Sequence, residues 1–109
     1  MQSSLQSRDK FDLLKLSGEI DLEHSNKARE EMLASLKMGN PLLIDLSDVK
    51  FIDSTGIVSL VEGLKAAKSA KLNFGLLDVS PATMQVLTLT RLDRIFSIYN
   101  SADEFQQQL

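Results

Sequence analysis

Residues 42–46, LLIDL, form a short, nearly unbroken apolar run, and no other stretch constrains the fold as much. A run of strand length with almost no polar alternation needs cover on both faces, as strands of helix-flanked parallel sheets do. The flanking sequence supplies such cover. Upstream, residues 22–38 are rich in Glu, Ala, Lys, Met and Leu, and Ala28, Met32 and Leu36 lie four apart on one helical face. Gly39-Asn40-Pro41 stops that helix. Downstream, Ile57, Leu60, Val61, Leu64 and Ala67 recur at helical spacing.

The rest of the chain continues the alternation. Residues 4–7 and 11–17 flank the polar triplet Arg8-Asp9-Lys10 and read as a hairpin, with 18–21 leading into the first helix. The first parallel strand is expected to end at Leu46 and a helix to begin near Ser54. Residues 72–79 read as the next strand, and Ser80-Pro81 as the capped start of a third helix carrying Val86 and Leu87. Residues 95–99 are a last strand and 101–108 a terminal helix. The order is β-β-α-β-α-β-α-β-α. Helical crossovers between strands imply a mixed, mostly parallel α/β sheet of four to five strands with about four helices.

At 109 residues, with 43% apolar and 25% charged residues, the chain is expected to form one domain over 1–109. A net charge of −3, with Lys and Arg scattered, gives no pull toward nucleic acid or anionic lipid. The absence of cysteine excludes disulfides, thiolate catalysis and thiolate-bound zinc. No apolar run reaches the ~18 residues of a membrane span, and MQSSLQSRDK lacks a signal-peptide core. A cytoplasmic protein without membrane insertion is expected.

The chemistry concentrates in FIDSTGIVSL, residues 51–60, where Asp53-Ser54-Thr55-Gly56 separates an apolar pair from the second helix. Loops after the C-terminal ends of parallel strands are where functional residues gather. A helix start also exposes unpaired amides and the positive end of the dipole, which accommodate an anion such as a phosphate on Ser54. The plainer meaning is an N-cap, for which Asp and Ser are preferred. Gly56, a poor helix former, is expected to keep the approach to Ser54 open.

The string LIDLSDVKFIDSTGIVSLVEGLK resembles the core motif of the anti-sigma-factor antagonists of the STAS domain family. Upstream, LSGEIDLEHSNKAREEM is similar to the family's second strand, acidic turn and first helix. Downstream, LLDVSPATMQVLTLTRLDRIFSIYNSADEF resembles its S-P-x helix start and L-x-x-[IV]-F tail. The resemblance covers nearly the whole chain in order.

That resemblance implies a STAS fold and a non-catalytic binding module, with no cofactor or metal. It makes Ser54 the phosphorylated hydroxyl and Thr55 a secondary candidate. Asp21 and Asp53 match the acidic positions around the phosphosite, and Gly56 completes the motif. The implied kinase is an anti-sigma factor with a histidine-kinase-like ATPase fold, bound only by the unphosphorylated antagonist. A metal-dependent Ser/Thr phosphatase reverses the mark. The alternative is a STAS subunit of a transport assembly that docks constitutively to an ATPase. Where the family commonly has glycine, Arg91 stands, so the third helix is expected to lack its usual C-terminal cap.

Other constellations are weaker. His24 is the only histidine, with no second His or Cys to complete a zinc site, and reads as a surface residue. Ser54, His24 and Asp21 spell a hydrolase triad on paper, but G-x-S-x-G is absent. Asp21, Asp45, Asp48 and Asp53 suggest a Mg²⁺ site or a receiver domain with Asp45 as phosphoacceptor, but Glu19-Asp21 and the surroundings of 95–99 supply the paired acids and lysine poorly, and no glycine-rich phosphate loop is present. Val58, off the apolar stripe of the second helix, is a candidate docking residue beside Ser54.

Overall fold

In the computed structural model, which describes residues 1–109, one five-stranded sheet runs in chain order, β1-β2-β3-β4-β5. The strands are β1 (Gln2–Ser7), β2 (Asp12–Ile20), β3 (Leu42–Ile52), β4 (Phe74–Leu77) and β5 (Ile98–Tyr99). The helices are α1 (Ser25–Lys37), α2 (Ser54–Ala70), α3 (Pro81–Leu89) and α4 (Ala102–Gln107), with a 3-10 turn at Leu92–Arg94. β1 and β2 form an antiparallel hairpin, and every later pair is parallel.

Both faces of β3 are covered, as its apolar run requires. Leu42, Ile44 and Leu46 join the larger core with Ala28, Met32 and Leu36 of α1, Ile57, Leu60 and Leu64 of α2, and Leu87 of α3. Leu43 faces the other way and packs with Phe11, Leu77 and Phe105 of α4. Phe105 meets both Phe11 and Tyr99 edge to face, at centroid distances of 5.2 and 5.3 Å.

Several expected boundaries move: the last two strands are shorter than expected, at Phe74–Leu77 and Ile98–Tyr99, and three shifts adjoin the β2–β3 pair. β2 runs on through Gly18, Glu19 and Ile20, and β3 continues six residues beyond Leu46 to Ile52. The cause lies in the pairing register, which shifts between Lys15 and Ser17 and again between Gly18 and Glu19. At each shift β3 carries one residue more than β2. These bulges bring Leu46, Val49 and Ile52 to the same core at three-residue spacing, hiding the strand from a period-two reading. α1 accordingly starts at Ser25 instead of Leu22.

The start of α3 follows expectation: Ser80 accepts the Thr83 amide, with Pro81 in the first turn. Its end does not lack the turn that glycine usually provides. Arg91 itself adopts the left-handed conformation, φ +62°.

Candidate functional site

β2 and β3 end side by side, Ile20 paired with Ile52, and an aspartate follows each. Asp53 is the N-cap of α2, with extended backbone. Its Oδ1 accepts the amides of Thr55 at 2.9 Å and Gly56 at 3.1 Å, and the Thr55 hydroxyl donates to the same oxygen. Its Oδ2 accepts the Leu22 amide at 3.1 Å, tying the β2–α1 turn to the start of α2. The Thr55 hydroxyl holds the Asp53 carboxyl below its ordinary value; burial opposes this, and the amides of Gly56, Thr55 and Leu22 add to it.

Asp21 is used differently. Its Oδ1 lies 2.7 Å from His24 Nδ1 and accepts the His24 amide at 3.2 Å. Burial pushes this carboxyl up, but the contacts with His24 outweigh it and the net shift is downward. His24 is therefore half-buried at the head of α1 and paired, not a lone surface side chain. Ligating atoms of Asp21, Glu23 and His24 come within 4.8 Å of one another.

The first residue of α1 is pinned to the second turn of α2. The buried Ser59 hydroxyl donates to the Ser25 carbonyl at 2.9 Å, and Arg29 of α1 meets Glu62 of α2 at 3.3 Å. Between them opens a groove of about 400 Å³ lined by Leu22, Asn26, Arg29, Ser54, Val58 and Glu62 among others. Ser54 is exposed and contributes nothing to the cap, whereas Thr55 is half-buried and committed to Asp53. Val58 and Leu22, 51% and 72% exposed, give this otherwise polar groove apolar lips.

Of the residues singled out in the sequence, Ser54, Thr55 and Val58 share this groove, and Asp53 stands behind it as the cap. Asp21 lies on the adjoining turn and is not among the lining residues. Gly56 serves packing, not access to Ser54. A Cβ there would lie 2.5 Å from the Ile20 carbonyl oxygen and 2.7 Å from Ile52 Cγ1, on the inner side of α2. Asp45 sits within β3, its Oδ1 accepting the Ser47 amide at 2.9 Å, and not at the strand end where a receiver-type acceptor is expected. Arg29 and Glu62 were not legible as site residues, because only the packing of α1 on α2 brings them together. The four-residue spacing of Ser54, Val58 and Glu62 was the available signal.

The STAS domain family model matches residues 2–105. The chain belongs to the STAS domain family. Over 70 residues this STAS domain is 36% identical to a Thermotoga maritima protein assigned as an anti-sigma factor antagonist, covering 64% of the chain. That match spans 62% of the relative's length, less than two thirds of it. The anti-sigma-B factor antagonist of Listeria monocytogenes is 30% identical over 90 residues, covering 82% of this chain and 79% of the relative. The crystal structure of the Thermotoga maritima protein superposes with a TM-score of 0.88 at 29% identity, over 97% of this STAS domain and 92% of that chain. An anti-sigma factor antagonist from Mycobacterium paratuberculosis gives a TM-score of 0.83 at 28% identity, over 98% and 92%. No helix of the STAS domain is long and apolar enough to cross a membrane.

Proposed function

We propose that this STAS domain is an anti-sigma-factor antagonist, a binding module without catalysis of its own, whose docking is switched by phosphorylation of Ser54. One observation carries the reading: Ser54 stands exposed at the head of α2 while the cap beneath it is made by Asp53 and Thr55. In the forward step, the γ-phosphoryl group of a nucleoside triphosphate bonds to Ser54 Oγ. The hydroxyl proton leaves to a base on the kinase, and the nucleoside diphosphate departs. Hydrolysis by a phosphatase returns the hydroxyl and inorganic phosphate. The helix keeps its cap throughout, so charge changes on the surface while the scaffold stays intact. Thr55 is the poorer acceptor, because a phosphate there would remove the hydroxyl proton that Asp53 accepts.

Docking of an unmodified groove is the cytoplasmic binding state. A phosphate of about −1.5 to −2 charges at its mouth must be desolvated under any partner, at a cost of several kcal/mol when unpaired. Each ~1.4 kcal/mol weakens binding about tenfold. The fitting partner is a serine kinase that also acts as anti-sigma factor, with a metal-dependent phosphatase restoring the binding form.

The test is intact-mass spectrometry after incubation with the native kinase and nucleoside triphosphate. One acid-stable phosphate mapping to Ser54, and none on Ser54→Ala, is expected. An unmodified chain, or a phosphate that persists in Ser54→Ala, contradicts the proposal.

A further inference from the structure

The groove beside Ser54 is lined by two charged side chains, Arg29 and Glu62, and they are joined to each other. Their side chains are 39% and 43% exposed, so the pair is open to water on one side and contributes little to stability. It is therefore free to be exchanged. Ser54 and Glu62 lie eight residues apart on α2, about 12 Å along the helix axis. Ser25, the first residue of α1, is tied to Ser59, which lies between Ser54 and Glu62 on α2. Arg29, Glu62 and Ser54 line this one groove, so a change of partner moves the guanidinium along it toward the head of α2.

A phosphate on Ser54 would be a stronger acceptor for Arg29 than Glu62 is. It carries more charge, offers three oxygens, and suits the planar guanidinium fork. We infer that Arg29 reads the phosphate. On modification the guanidinium exchanges Glu62 for phosphoserine 54, and the released Glu62 carboxylate adds its charge to the groove. The unmodified groove carries a compensated pair; the modified one carries phosphate and a free carboxylate against a single cation. This rests on Ser54 as the acceptor and adds an intramolecular reader to the switch.

The test uses the full chain with phosphoserine installed at position 54 during translation, so that neither kinase nor partner is needed. Phosphorus NMR follows the second ionisation of the phosphate around its ordinary midpoint near 6. The unsubstituted chain is expected to ionise about half a unit or more below Arg29→Gln, roughly a threefold difference in proton affinity. Glu62→Gln lowers the midpoint further, since no carboxylate then competes for Arg29. Arg29→Lys retains most of the shift, which separates charge from packing. Coinciding midpoints for the unsubstituted chain and Arg29→Gln overturn the assignment. If the native kinase fails to modify Ser54, only the switch is lost; coinciding midpoints remove only the reader.

Discussion

Asp53 holds the amide of Leu22 across 31 residues of sequence while the same carboxylate caps α2. One side chain thereby fixes the turn after β2 against the loop after β3, and Ser54 stands exposed beside that junction.

Asp53→Ala is expected to destabilise the fold by about 1–2 kcal/mol, because the cap amides and the Leu22 amide lose one shared acceptor. For a domain of this size that lowers Tm by roughly 4–8 °C per kcal/mol. Calorimetric melting of both proteins checks it, with Asp53→Asn expected to fall between them.

The same carboxylate sets an acid limb. The folded value of Asp53 lies below its ordinary 3.8, so the folded state holds its proton less tightly than the unfolded chain does. Its contribution is present above 3.8 and is lost as pH falls through the lower folded value. In urea titrations across this acid range, Asp53→Asn is expected to show a shallower loss of stability than the unsubstituted chain.

Gly56→Ala is expected to destabilise by about 1–3 kcal/mol, although alanine favours a helix by about 0.8–1.0 kcal/mol. The added Cβ would meet the Ile20 carbonyl oxygen at 2.5 Å, and backbone atoms cannot rotate away. Urea midpoints measure the sign. A gain in stability would mean that α2 is not seated as tightly on the sheet as the structure has it.

Much of this architecture was legible in the sequence, and the exceptions share a cause. LLIDL announced a strand covered on both faces, and the stripes of α1 and α2 announced their cover. Val49 and Ile52 were invisible as strand residues because two bulges in β3 break the alternation. The place of Ser54 at the head of α2 was legible from its motif, whereas the presence of Arg29 and Glu62 in the same groove depends on helix packing that no local pattern encodes. Gly56 was read as an opening toward solvent, yet its bare Cα faces Ile20 and Ile52.

Arg91 offers an independent check on the backbone. A left-handed conformation at a residue with a Cβ costs about 1–2 kcal/mol, partly offset by the greater unfolded-state freedom of glycine. Arg91→Gly is expected to be neutral or to stabilise by up to about 1 kcal/mol, and Arg91→Val to destabilise. Paired chemical denaturation curves distinguish these outcomes.

The decisive measurement is titration calorimetry of the cognate anti-sigma kinase against three forms: unmodified chain, Ser54→Ala, and chain phosphorylated at Ser54. The first two are expected to bind alike, and the phosphorylated chain about a hundredfold or more weaker, near 2.7 kcal/mol. Equal affinity of the phosphorylated and unmodified chains would contradict the claim that charge on this one hydroxyl decides who docks.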